Sequence, residues 1–189
     1  MAVRVEQLRT GELASRIEAA AKLGEMPEPQ AVAALAEALR DPTAEVAREA
    51  AVALRRSRLP SAVDALTAVI ENADGYFHPI VRTAAAESLG CLNEPRAVGA
   101  LKRAVRDPLA EPSRAAIRAL GVVAREDALP ALLAVVSNGD NYFLPSVRVT
   151  ATEVLATIPA PAARDCLRSL AENPGEVAEV RLAARQAVG

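Results

Sequence analysis

Asp74 and His78 are a carboxylate and an imidazole four residues apart, in the segment Ala73-Asp74-Gly75-Tyr76-Phe77-His78-Pro79-Ile80-Val81-Arg82. An imidazole oriented by a carboxylate is a common general acid–base device near neutral pH. The segment has an echo, Gly139-Asp140-Asn141-Tyr142-Phe143-Leu144-Pro145-Ser146-Val147-Arg148, in which every position returns 66 residues later. The echo keeps the acid as Asp140 but carries Leu144 in place of the imidazole, so the two copies do not share this chemistry. His78 is the single histidine, which excludes a metal site built from several His ligands. No Gly-rich phosphate loop, HExxH or GxSxG pattern occurs. Cys91 and Cys166 sit at helical apolar spacing and read as reduced packing residues. No catalytic residue, metal or cofactor is therefore expected. The two segments also hold all the Tyr and Phe side chains of a chain without Trp, namely Tyr76, Phe77, Tyr142 and Phe143.

Half of the 189 residues are hydrophobic, yet only 2% are aromatic. A core of Ala, Leu and Val favours closely packed helices, because Ala has the best helix propensity and small side chains let helices approach. With 22 basic and 24 acidic residues the formal charge is -2, which argues against nucleic acid as the main partner. The first residues contain no long apolar run, so neither a signal peptide nor membrane insertion is expected, and a cytoplasmic protein is.

The elements that position the echoed segments are legible as repeats. Val32, Leu35 and Leu39 recur as Val63, Leu66, Ile70, as Val98, Leu101, Val105 and as Leu129, Leu132, Val136, each triplet marking one apolar face of a helix, here termed A. A second helix, B, follows each: Val46, Ala50, Leu54; Val81, Ala85, Leu89; Ala116, Leu120; Val147, Ala151, Leu155; Val180, Ala184, Val188. Leu23-Gly24, Leu89-Gly90 and Leu120-Gly121 read as helix ends closed by a left-handed Gly. The A helices start 31, 35 and again 31 residues apart. The extra four residues lie in the A-to-B loops that carry the aromatics. In the short repeats that turn is Arg40-Asp41-Pro42 or Arg106-Asp107-Pro108. Pro79 and Pro145 suit the first turn of a B helix, and Gly75 and Asn141 suit positive φ. The whole chain, 1–189, reads as one domain of about six helix pairs. Repeats fall near 1–26, 27–59, 60–94, 95–125, 126–158 and 159–189, and 27–92 and 93–158 form a duplicated two-repeat unit.

The pattern Ala-Val-x-x-Leu, Asp-Pro, then Val-Arg-x-x-Ala-x-x-x-Leu-Gly resembles HEAT repeats of the short kind named after phycobilisome lyase subunits. Ala31-Val32 with Leu35 and Asp41-Pro42, Val81-Arg82 with Ala85 and Leu89-Gly90, Ala97-Val98 with Leu101 and Asp107-Pro108, and Val147-Arg148 with Ala151 carry it. The resemblance implies an all-α, right-handed α-solenoid of the armadillo type. It also implies a structural ladder between neighbouring repeats, drawn from Asp41, Asp107, Arg82, Arg148 and Arg181. The multi-histidine iron site of the HEAT-repeat hydroxylase is excluded by the lone His78, and the tryptophan-bearing groove of HEAT-like DNA glycosylases has no counterpart.

The reading that follows is a non-enzymatic scaffold or adaptor that binds a protein or peptide. The alternative implied by the resemblance is a phycobilin lyase-type subunit, or a chaperone for a tetrapyrrole-bearing protein. Two partner surfaces are expected. One is the inner face of successive B helices, where Glu87, Arg118, Glu153 and Gln186 occupy equivalent positions. The other is the loop edge bearing Tyr76, Phe77, Tyr142 and Phe143, with the Phe rings expected to turn inward and the Tyr rings outward.

Overall fold

The computed structural model describes residues 1–26 and 28–189; Pro27, where the second repeat is expected to begin, lies outside them. Twelve α-helices and no strand occur among the described residues. They are α1 (Ala2–Thr10), α2 (Leu13–Leu23), α3 (Pro29–Ala38), α4 (Ala44–Leu54), α5 (Pro60–Glu71), α6 (Pro79–Leu92), α7 (Val98–Ala104), α8 (Ala110–Ala124), α9 (Leu129–Ser137), α10 (Pro145–Ala156), α11 (Pro161–Glu172) and α12 (Ala178–Val188). Short 3-10 turns at Pro95–Ala97 and Arg125–Ala128 lead into α7 and α9. Odd-numbered helices are the A helices and even-numbered ones the B helices. Each A helix packs on its own B helix, and each B helix packs on the next B helix, which makes an α-solenoid. No helix is long and apolar enough to cross a membrane.

Leucine spines run through both layers. Leu35, Leu66, Leu101, Leu132 and Leu167 line up along the A helices, and Leu23, Leu54, Leu89, Leu120 and Leu155 along the B helices, all of them buried. Proline supplies N1 or N2 of α3, α5, α6, α9, α10 and α11, where its missing N–H costs nothing.

The glycines act differently from the sequence reading. Gly24 follows α2 in right-handed geometry (φ -65°), and Gly90 and Gly121 lie inside α6 and α8. The left-handed caps are asparagines, Asn72, Asn93 and Asn138, with φ of 45°, 53° and 47°. The glycines instead mark where consecutive B helices touch. A Cβ on Gly24 would meet Ala53 Cβ at 2.7 Å and its Cα at 2.9 Å, one on Gly90 would meet Ala119 Cα at 3.1 Å, and one on Gly121 would meet Val154 Cγ1 at 2.3 Å. Across the A layer, by contrast, long side chains bridge neighbours through the exposed pairs Arg9–Glu37, Asp64–Arg96 and Glu71–Arg103. Small close contacts thus fasten the B layer and long side-chain bridges the A layer.

Each B helix uses a small-residue face against its predecessor, as where the Ser88 hydroxyl donates to the Ala51 carbonyl at 2.9 Å. On α2 the corresponding positions are the polar Glu18 and Lys22. Substitution where the backbones of two B helices approach most closely should be costly. Gly24→Ala should lower stability by about 1–3 kcal/mol, whereas Gly139→Ala, with nothing within 4 Å of the added methyl, should leave the urea midpoint unchanged or slightly raised.

Candidate functional site

The aromatic loops are ordered by their own polar side chains. After α5, Asn72 turns left-handed and its Oδ1 accepts the Phe77 N–H at 2.8 Å, while Asp74 Oδ1 accepts the Tyr76 N–H at 3.1 Å. The second loop repeats this with Asn138 and Phe143 at 2.8 Å and with Asp140 and Tyr142 at 3.3 Å. Gly75 (φ 70°) and Asn141 (φ 54°) supply the remaining positive-φ turn positions. Within each loop the two rings meet edge to face, with centroids 5.5 Å and 5.1 Å apart.

These loops reach back to the preceding repeat. The Tyr76 hydroxyl donates to the Arg40 carbonyl at 2.8 Å, and the Arg40 guanidinium lies 4.9 Å from both the Tyr76 and Phe77 centroids while pairing with Asp74 at 2.7 Å. In the second copy Tyr142 donates to the Arg106 carbonyl at 2.6 Å, and Arg106 stacks at 4.4 Å and 5.3 Å and pairs with Asp140 at 2.6 Å. Each loop is therefore a clamp between two repeats. Phe77 and Phe143 are 6% and 7% exposed, so burial removes both from the candidate contact residues. Tyr76 and Tyr142 remain 49% and 41% exposed, but their hydroxyls are committed to the chain itself. Asp74 and His78 form no dyad. The acid serves Arg40 and the loop backbone, and His78 Nδ1 accepts the Ile80 N–H at 3.3 Å as the N-cap of α6.

The remaining repeat junctions are held by ion pairs, two of them buried and the third, Arg16–Asp41, partly buried. Arg82 grips Asp107 through Nε and Nη2 at 2.7 and 2.9 Å and donates from Nη1 to the Phe77 carbonyl at 2.6 Å. Arg148 makes the same fork on Glu176, both bonds at 2.7 Å. Asp41 pairs with Arg16. The ladder thus joins repeats one to two, three to four and five to six, and the aromatic clamps join two to three and four to five. Arg181 is not a rung. Its guanidinium donates to the carbonyls of Pro174 (3.0 Å) and Glu176 (3.3 Å) in its own loop. Arg16 and Glu176 escape the sequence pattern because Ser15 stands where α4, α6, α10 and α12 have Val, and because Asn173 stands where the Asp would fall. The 66-residue interval from Arg82 back to Arg16 was the available signal.

On the B-helix face Glu87, Arg118 and Glu153 are exposed, and among the described residues none has an ion-pair or hydrogen-bond partner in the chain. Gln186 continues the row on α12. Val122 adds an exposed apolar side chain from α8. Of the two cysteines expected to be packing residues, Cys166 packs against the core and Cys91 does not. Cys91 is exposed near the end of α6 and Cys166 is half-buried on α11, where burial raises its thiol above its ordinary pKa. One concavity, about 550 Å³, lies at the opposite edge between α8 and α10 and is lined by Gly121, Arg125, Asp127 and Thr157. A second, about 390 Å³, lies between the Asp41–Pro42 turn and Tyr76, with Leu39, Ala44 and His78 in its walls.

The sequence profile of HEAT repeats matches residues 1–78 and 100–189. The chain belongs to the HEAT-repeat family. Among solved structures, this HEAT-repeat chain is similar to the complex of CpcE and CpcF of phycocyanin lyase from Nostoc sp. PCC7120. That match has 25% identity and a TM-score of 0.65, over 95% of this chain and 73% of the other. A computationally designed armadillo repeat protein for modular peptide recognition matches at 17% identity and a TM-score of 0.53, over 98% and 97% of the two chains. An engineered protein matches at 21% identity and a TM-score of 0.55, over 98% and 93%. The latter two likenesses establish the fold alone. A search of curated proteins found no match.

Two outcomes test this account of the repeat junctions. Asp107→Ala leaves the buried Arg82 guanidinium without its carboxylate and should cost about 3–5 kcal/mol in denaturant unfolding. Arg96→Ala, at an exposed pair, should cost less than about 1 kcal/mol. The second outcome concerns acid. The hydrogen bond from Arg40, helped by the Tyr76 N–H, holds the Asp74 carboxyl below its ordinary 3.8, and Arg106 with the Tyr142 N–H does the same for Asp140. The Arg148 fork holds Glu176 below its ordinary 4.5. Carboxyls with lowered folded pKa values contribute their full stability above the ordinary value and lose it as the pH falls through the folded one. Thermal midpoints should therefore drop as the pH is taken below the ordinary carboxylate values, and Asp74→Asn/Asp140→Asn should flatten part of that slope.

Proposed function

We propose that this protein is a non-enzymatic scaffold or adaptor that binds another protein or a peptide along the B-helix face and the loop edge. The observation that carries the reading is the row of Glu87, Arg118 and Glu153. These are exposed charges at equivalent positions of consecutive helices, with no partner in the chain among the described residues. Charges inside a repeat junction are paired here, whereas these three stand on a rigid inner surface whose mixed sign suits a protein better than a polyanion. The Arg-stacked outer faces of Tyr76 and Tyr142 extend that surface at the edge. Binding proceeds with little loss of backbone freedom, since the clamps hold the loops in place beforehand.

The experiment is affinity capture from native lysate with the wild type and with Glu87→Lys/Arg118→Glu/Glu153→Lys, whose melting curves should coincide. A specific protein band present with wild type and lost with the triple variant supports the B-helix face. A band that survives charge reversal removes that face from the reading.

A second reading is supported by the likeness to the phycocyanin lyase complex, at 25% identity and a TM-score of 0.65. In that reading the chain is a lyase-type subunit or chaperone handling a tetrapyrrole-bearing protein, working together with a second, different chain. Titration with phycocyanobilin should then produce a red-shifted, intensified visible band. An unchanged spectrum in the presence of the captured partner leaves the scaffold reading alone.

A further inference from the structure

The exposed apolar side chains of this protein are not scattered. Of the eleven large ones among the described residues, seven stand on the A-to-B edge, six of them being Tyr76, Ile80, Leu109, Tyr142, Leu144 and Val177. Leu109, Leu144 and Val177 occupy one equivalent place, the N-cap of α8, α10 and α12 in turn, where a polar cap is the usual choice. None of the three caps its helix, so each gives up a cap bond and presents an apolar group to water. Along the same edge, the groove of about 390 Å³ between Pro42 and Tyr76 is walled mainly by carbon, from Leu39, Ala44, Ala47, Phe77 and Val81. Its size suits one or two large apolar side chains. A concentrated apolar strip of this kind marks an interaction surface.

The charges on the edge specify the partner. Most of its arginines are committed within the chain: Arg16 to Asp41, Arg40 to Asp74, Arg82 to Asp107, Arg106 to Asp140, Arg148 to Glu176, and Arg181 to loop carbonyls, while Arg48, one turn into α4, is exposed and has no ion pair among the described residues. Glu12, Glu45 and Glu179 remain, exposed and with no ion pair among the described residues. They lie at or just inside the start of α2, α4 and α12, beside the apolar strip. A position near a helix N-terminus stabilises a carboxylate without hiding it from solvent, so all three stay available to a cation.

We propose that the A-to-B edge is a docking surface for a cationic amphipathic segment of another protein. Leu, Met or aromatic anchors would lie on the Leu109–Leu144–Val177 strip and in the Pro42–Tyr76 groove, and flanking Lys or Arg would meet Glu45 and Glu179. The proposal rests on the protein-binding reading above and assigns its ligand class and its surface. The Arg40 and Arg106 clamps give it a rigid floor, because they fix the aromatic loops before any ligand arrives.

The test is selection of phage-displayed random peptides on the full-length protein, followed by fluorescence anisotropy with the selected peptides. The expected pool is net positive with large apolar residues. Affinity should fall at least about tenfold in Leu109→Ser/Leu144→Ser and again in Glu45→Lys/Glu179→Lys. It should be unchanged in Arg96→Ala on the outer A layer, and it should weaken with added salt. An acidic pool, or peptides indifferent to both edge variants, overturns the proposal. If binding is instead lost only in the Glu87/Arg118/Glu153 variant, the edge assignment falls while the scaffold reading stands. If no peptide is enriched, both fall. Sedimentation of the protein alone as a dimer that Leu109→Ser/Leu144→Ser dissociates would give the edge to a second copy and likewise overturn the proposal.

Discussion

Close approach of consecutive B helices is the constraint on which the rest of this structure depends. Where Gly24 meets Ala53 and Gly90 meets Ala119 there is no room for an added methyl, and the helix layer becomes short on that side. The A layer is bridged instead by arginine–carboxylate pairs of long side chains. The B helices leave one row outside these contacts, Glu87, Arg118 and Glu153, exposed on consecutive helices. The same spacing turns the A-to-B connections into one continuous edge, so a feature repeated in every connection becomes a strip. Helical periodicity would be satisfied by any apolar core, but only small residues at these positions let the repeats stack so closely.

Two kinds of fastening alternate along that stack. The junctions one to two, three to four and five to six are closed by an arginine whose guanidinium is forked into, or paired with, a carboxylate of the next turn. At the Arg82–Asp107 and Arg148–Glu176 junctions both side chains are under 10% exposed. The junctions two to three and four to five are closed at the surface, by a tyrosine hydroxyl on a carbonyl and a guanidinium over two rings. A buried pair is costly to break because the surviving charge stays desolvated, whereas an exposed clamp can be re-solvated. The units tied by buried pairs are thus offset by one repeat from the duplicated unit of the sequence, which couples repeats two with three and four with five. The longer loop is what this alternation requires, since its four extra residues carry the rings back over the preceding Arg.

On the proposed reading, binding lies on surfaces rather than in a pocket. The polar groups that resembled a reactive pair, Asp74 and His78, are spent on loop and helix ends, and the aromatic rings that resembled contacts are partly spent on the clamp. What remains unspent is informative: the charged row on the B face, and the apolar strip with its carboxylates on the edge. Affinity for a partner would come from these because the chain makes no other use of them.

The sequence by itself determined the helix-pair repeat, the 66-residue period, the position of the long loops and the choice of Phe77 and Phe143 as inward rings. Those features are local or periodic, and apolar spacing, proline placement and loop length encode them directly. Tertiary structure alone decided what the glycines are for, because a Gly after a leucine reads as a helix cap until the neighbouring helix is placed so close that an added Cβ would collide with it. It also decided that Tyr76 spends its hydroxyl on Arg40, that Arg16 and Glu176 complete the ladder, and that Arg181 does not. Each of these is a contact between residues 25 to 36 apart or a failure of one, and side-chain reach across a repeat junction depends on the stacking distance, which no single repeat specifies.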